Sequence, residues 1–159
     1  MINWPDKLPL PTIEDYAIQP GDAIVRTDME AGSARQRRRF TSIPSRVQVR
    51  WLMSQIQFAL FEAWYRWEAK EGGAWFEVTL LNGVGLTPQQ ARFTQPFQAQ
   101  LITGTLWEIR TELEIRERRV LRQDALALLL VEDKDGLFNA IARLHQLVHH
   151  TLPKRLTTN

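Results

Sequence analysis

The stretch LITGTLWEIRTELEIRER, residues 101–118, constrains the fold of this chain more than any other. Its odd positions run Leu101, Thr103, Thr105, Trp107, Ile109, Thr111, Leu113 and Ile115. From Glu108 the even positions are charged: Glu108, Arg110, Glu112, Glu114 and Arg116. Side chains on a strand point alternately to its two faces, so this pattern predicts one long strand with a buried face and a solvated or interfacial face. RVQVRWLM (46–53) repeats the alternation, with Val47, Val49, Trp51 and Met53 on one side and Arg46, Gln48 and Arg50 on the other.

The residues after Met53 end that alternation. Ser54 and Gln57 have the spacing of a capping box, and Met53 and Phe58 are placed to form a hydrophobic staple. QIQFALFEAWYRWEAK then sets Ile56, Leu60, Ala63, Trp64 and Trp67 at helical spacing, an apolar stripe of the kind that faces a core. Gly72-Gly73 close the helix with residues that tolerate a left-handed cap. AWFEVTLL returns to a strand pattern and NGVG is a turn. ARFTQPF is expected as a short or edge strand, because Pro96 has no amide donor to give a central ladder.

Both ends differ from this middle. Pro5, Pro9, Pro11 and Pro20, with Trp4, Leu8, Leu10 and Tyr16 among them, describe an extended arm that packs over its own domain or a neighbour. Downstream, DALALLLVE reads as a short helix with Asp124 as N-cap. LFNAIARLHQLVHH carries Leu137, Ala140, Ile141, Leu144 and Val148 on one stripe of a second helix. The expected class is α+β, a β-sandwich or split β-barrel core with one inserted helix plus a C-terminal helical extension. The arm is assigned to 1–21, the β-rich domain to 22–121 with its helix at 54–70, and the extension to 122–159.

Candidate chemistry is thin. His145 and His149 in HQLVH have zinc-site spacing, but Gln146 stands where a metalloprotease needs its glutamate base, and no third ligand follows. EDKDG fails as a calcium loop, since Val131 and Ala142 fall where carboxylates are required; Asp133 or Asp135 reads instead as a helix cap. NGVG and EGGA lack the phosphate-binding spacing. Glu108, Glu112 and Glu114 share a strand face with arginines among them, which describes a cross-strand charge ladder better than an acid/base pair. The chain has no cysteine, which excludes disulfides, thiol catalysis and cysteine-ligated metals. No apolar run approaches the ~20 residues of a membrane span, and the N-terminus lacks the features of a secretory signal. The expectation is therefore a non-enzyme with no catalytic, cofactor or metal residues and no membrane partner.

Arginine is what the chain has in excess. The net charge is only +2, yet of 20 basic residues all but Lys7, Lys70, Lys134 and Lys154 are arginine. Arginine holds carboxylates bidentately and stacks on aromatic rings, so it suits protein interfaces as well as phosphate. GSARQRRRFT concentrates Arg35, Arg37, Arg38 and Arg39 just before the alternating strand. Arg35, Arg37, Arg38, Arg39, Arg46 and Arg50, with Leu137, Ile141, Leu144 and Val148 for helix docking, are the candidate interface residues. The alternative is a small nucleic-acid-binding protein using the Arg35–Arg39 cluster.

The order of features also resembles a known family. A basic RRRFT segment, an alternating strand, a QIQFALFEAWYRW helix, GGAWFEVTLLNG, a short ARF strand and the closing LWEIRTELEIRE strand follow one another over about residues 22–120. This is similar to the small tail-tip proteins of long-tailed bacteriophages, the group around lambda minor tail protein M and the N-terminal barrel of distal tail proteins. Trp51 to Phe76 carries the local match, with Glu108–Arg116 as closing strand. The resemblance implies a ring, commonly six-fold, between the tail tube and tip or fibre proteins. Its partners would be further copies of itself, expected as a hexamer, the tail tube protein, and the tail hub or other tip proteins. No sequence-specific nucleic acid is expected. The location implied is the virion tail, assembled in the host cytoplasm. The proline arm and the helices from Asp124 onward lie outside the family pattern.

Overall fold

The computed structural model describes residues 1–40, 42–131, 136, 139 and 141–143. They form two compact units: Met1–Val78 with Gln89–Arg118, and Thr79–Pro88 with the described residues from Arg119 onward. The elements are β1 (Ile2–Asn3), β2 (Ala17–Gln19), β3 (Ile24–Thr27), β4 (Arg35–Arg38), β5 (Ser45–Ser54), α1 (Gln55–Trp67), a 3-10 turn at Lys70–Gly72, β6 (Phe76–Asn82), β7 (Gly85–Phe93), β8 (Gln98–Thr103), β9 (Leu106–Ile115) and α2 (Gln123–Val131). Seven strands make one sheet in the order β1-β6-β7-β9-β5-β2, with β8 on β9, and β3 pairs with β4 in a separate two-stranded sheet. The fold is α+β, with a β-rich core, one inserted helix and no closed barrel among the described residues.

β5 follows its alternation: Ser45, Val47, Val49, Trp51 and Met53 are buried, and the intervening residues are exposed or half-buried. Its ten residues pair antiparallel with β9 in unbroken register from Ser45↔Ile115 to Ser54↔Leu106. α1 then starts where the capping box ordains. The Ser54 hydroxyl accepts from the Gln57 amide at 3.3 Å and the Ser54 amide donates to Gln57 Oε1 at 3.0 Å. These bonds satisfy two polar groups at the helix start and turn the chain back over the sheet.

The core beneath α1 is aromatic. Trp4 from the arm stacks on Trp51 at 4.9 Å, and Trp64 meets Phe76 edge-on at 5.0 Å. Phe61 contacts Phe97 at 4.9 Å, and Tyr65 contacts Phe93 at 5.0 Å. Trp64 Nε1 donates to the Asn3 carbonyl at 3.1 Å, and Trp4 and Leu8 are buried, so the arm packs over its own domain. Burial of each such side chain contributes about 1.5–3 kcal/mol, and the indole N–H groups of Trp4 and Trp51 find no hydrogen-bond acceptor among the described residues.

Four local expectations change. Of the expected stripe of α1 only Trp64 is buried, together with Phe58 and Phe61, while Ile56 and Trp67 are 83% and 73% exposed. The helix is apolar around most of its circumference, and the bulkier aromatic side has the sheet. The long strand from Leu101 is a hairpin instead, broken at Gly104-Thr105 into β8 and β9, and Thr103 and Thr105 are exposed. β7 is no edge. It begins at Gly85, lies between β6 and β9, and ends before Pro96, while its own Pro88 precedes the Ala91–Phe93 ladder with β9 and so removes no bond from it. Asp124 lies in the first turn of α2, which starts at Gln123, and pairs with Arg122 at 3.4 Å. Asp133, Asp135, His145 and His149 lie outside the described residues.

α1 ends at Trp67 with Glu68 as a right-handed cap, earlier than the expected close at Gly72-Gly73, and Gly72 is left-handed at the end of the 3-10 turn that follows. Its φ is +91°, and a Cβ there would stand 2.9 Å from Phe93 Cβ and 3.2 Å from the Tyr65 hydroxyl. Only glycine fits both the backbone and the space.

Candidate functional site

Charged residues occupy two places in the first unit, and they are used differently. On the sheet face away from α1, the β5–β9 register sets Arg50 directly opposite Arg110 and Leu52 opposite Glu108. Two arginines face to face repel. Glu108 lies diagonal to Arg50 and two residues from Arg110, and its carboxylate bridges the two. Arg50 Nη2 donates to Glu108 Oε2 at 2.6 Å, and Arg110 Nε donates to the other carboxylate oxygen. Arg50 also donates to Glu14, and Arg110 lies 3.4 Å from Asp15. Arg92 binds Glu114 at 2.5 Å and Arg46 reaches Glu112 at 3.6 Å.

The electrostatics follow from this clamp. The hydrogen bond from Arg50 holds the Glu108 carboxyl below its ordinary range despite burial, helped by Arg110. The same bond raises Arg50. Each of Glu108, Glu112 and Glu114 is tied to an arginine, which is the geometry of a cross-strand ladder. Beside it a polar cleft of about 270 Å³ is lined by Asp15, Gln48, Gln95, Gln98, Arg110 and Glu112.

The second place is the β3–β4 ribbon. Ile24↔Arg38, Val25↔Arg37, Arg26↔Gln36 and Thr27↔Arg35 pair antiparallel, and Arg39 extends the ladder through its amide to the Ala23 carbonyl at 2.9 Å. Alternation puts Arg35, Arg37 and Arg39 on one face and Arg38 with Arg26 on the other. All four residues of β4 are exposed. Arg38 Nε donates to the Phe40 carbonyl at 3.1 Å, and Arg39 lies 5.4 Å over the Phe40 ring. Arg26 pairs with Asp28 at 3.3 Å. Arg35, Arg37 and Arg39 make no ion pair among the described residues.

In the second unit, no residue of α2 is buried, and Leu128, Leu130 and Val131 are 71%, 76% and 85% exposed. An apolar groove of about 540 Å³ is lined by residues that include Leu81, Val84, Leu121, Ala125, Leu129 and Ile141.

The structure therefore gathers Arg35, Arg37, Arg38 and Arg39 on one exposed ribbon, and places Arg46 and Arg50 in the ladder. Ile141 lies at the groove, and Leu137, Leu144 and Val148 lie outside the described residues. Sequence reasoning placed Trp64 in the core correctly but missed that Ile56 and Trp67 on α1 are exposed; the signal was a second apolar stripe, Phe58, Phe61 and Tyr65, competing for the same core. Among the described residues no helix is long and apolar enough to cross a membrane, and no three His, Asp or Glu side chains gather to hold a metal. No protein-family model matches the chain, and neither a curated protein nor a solved structure is detectably similar to it.

Proposed function

We propose that this chain is a structural component of a bacteriophage tail, forming a ring at the distal tail or tip that joins the tail tube to tip or fibre proteins. The observation that carries the reading is the β3–β4 ribbon, an element outside the main sheet on which Arg35, Arg37 and Arg39 make no ion pair among the described residues. Uncompensated, closely spaced guanidinium groups beside Phe40 are suited to an acidic, partly apolar surface on another protein. The uncovered leucines of α2 add a second surface of the same kind. A ring needs such elements, because head-to-tail contacts close by rotation through two different surfaces of one subunit. The resemblance of the order of strand, helix and closing strand to that of tail-tip proteins supplies the biological setting.

A second reading keeps one specific support: a two-stranded ribbon has the width to enter the major groove of B-DNA. Asp28 and Glu30 in the loop joining β3 to β4 oppose it, since they would bring negative charge to the phosphates. Antibody labelling of phage particles from the source lysate tests the first reading, which expects label at the distal end of the tail. Absence from intact and disrupted particles alike would reject it. Binding to duplex DNA that falls steeply with salt would favour the second reading.

A further inference from the structure

β8 leaves one side of its backbone open. All its residues, Gln98–Thr103, are exposed, Leu101 and Ile102 at 49% and 46%. Its ladder with β9 occupies the other side, and no further backbone hydrogen bond reaches it among the described residues. Open edge strands are commonly kept from pairing by charged side chains or proline. QAQLIT has neither. Its one irregularity, the register shift between Leu101 and Thr103, lies at the far end and leaves Gln98–Leu101 in regular pairing.

The ladder fixes which groups face outward. The Thr94 amide donates to the Glu112 carbonyl and the Arg116 amide to the Gln90 carbonyl, so even-numbered residues of β9 turn their peptide groups toward β7 and β8. Gln98↔Arg110 and Gln100↔Glu108 are then the hydrogen-bonded pairs, and Ala99 and Leu101 turn amide and carbonyl away from β9. A second β8 can add antiparallel about a two-fold axis normal to the sheet, provided outward groups meet outward groups. Centred on Gln100, that axis sets Ala99 of each copy opposite Leu101 of the other, so both outward residues of each strand are paired. Centred on Ala99 or Leu101, it pairs only one of them, because Thr103 faces β9 and Phe97 lies outside the strand. In the Gln100 register each exposed Leu101 meets the small Ala99 of the other copy, on the face that carries Trp107 and Ile109. On the opposite face two Gln100 carboxamides, donors and acceptors both, meet at the axis. The strand carries no charge, so a second copy brings no repulsion to it.

We propose that β8 is the edge at which a second copy of this chain adds, joining two main sheets antiparallel through reciprocal Ala99–Leu101 pairing. So short a ladder buries less than a standard interface, and the pair is weak, dissociating at about 10–100 μM.

The chain has no cysteine, so a single introduced thiol reports the register. Gln100→Cys sets two thiols opposite each other in a non-hydrogen-bonded pair, with Cα atoms about 4.5 Å apart and within reach of a disulfide. Gln98→Cys sets them about 14 Å apart, beyond that reach. Mild oxidation of the full chain at about 200 μM, a concentration above the expected dissociation constant, should cross-link Gln100→Cys about ten-fold faster than Gln98→Cys. Ala99→Pro removes an outward amide and no bond to β9, so in sedimentation velocity it should weaken the wild-type pairing about ten-fold or more. The thiol comparison decides the register whether or not the proline variant folds. Cross-linking that is equal at the two positions, or absent from both, overturns the proposal. So does a wild type that stays monomeric at several hundred μM, or an Ala99→Pro variant that pairs as tightly as the wild type.

Discussion

Two sets of arginines sit on strands of this chain, and their surroundings differ. On β5, β7 and β9, Arg46, Arg50, Arg92 and Arg110 each reach a carboxylate of the same unit. On the ribbon, Arg35, Arg37 and Arg39 reach none among the described residues. The sequence difference is interleaving. In β9 the charged positions Glu108, Arg110, Glu112 and Glu114 mix acid with base and are each separated by an uncharged residue, so pairing across to β5 is built in. RQRRR has no acid within it and no apolar residue to anchor one face. Charge density alone therefore says little about function, whereas the absence of an interleaved counter-charge marks the surface that is left for something else.

The comparison can be broken first at the sheet. Trp51→Ala removes a side chain of 0% exposure that stacks on Trp4, and should destabilise the chain by about 3–5 kcal/mol in urea unfolding. A loss under about 1 kcal/mol would mean that the sheet and α1 are not organised around that stack. Gly72→Ala forces a Cβ into a left-handed backbone against Phe93 and Tyr65 and should cost about 2 kcal/mol or more. A neutral result would show that the end of α1 adjusts freely.

Glu108→Gln addresses the ladder itself. Arg50 depresses the folded-state pKa of Glu108 below its ordinary value of 4.5. A carboxyl of this kind binds fewer protons when folded, so its stabilisation is complete above the ordinary value and is lost as pH falls through the depressed one. The wild type should therefore lose more stability between pH 7 and pH 3 than the Gln variant does, measured as the shift in urea midpoint. Equal shifts would remove Glu108 from the acid limb. The smallest effect belongs to the ribbon: Arg35→Ala, Arg37→Ala and Arg39→Ala combined should change the monomer's stability by no more than about 0.5 kcal/mol in calorimetry. A loss on the scale of Trp51→Ala would place those arginines in the fold.

Much of this architecture was legible in the residues. β5 alternates because one face is buried, and its pattern gave both its bounds and its buried side chains to within a residue or two. Ser54 and Gln57 marked the start of α1 because capping is local chemistry. What failed depended on distant packing. Ile56, Leu60 and Trp67 compete with Phe58, Phe61 and Tyr65 for the core, and periodicity cannot choose between two apolar stripes; the fit against Phe93 and Phe97 does. The split of Leu101–Arg118 at Gly104-Thr105 was hidden because the alternation of β8 continues in phase into β9. The candidate ribbon was legible as a basic run, but its separation from the main sheet came only from strand pairing.

The claim that the ribbon is left for a neighbour is tested most directly by amide hydrogen exchange of the full chain, followed by mass spectrometry, comparing the monomer with the chain assembled in the tail particle. The account predicts that amides of Ile24–Thr27 and Arg35–Arg38 gain protection on assembly while β5 and β9 stay as they were. Ribbon amides that exchange equally fast in both states would contradict it.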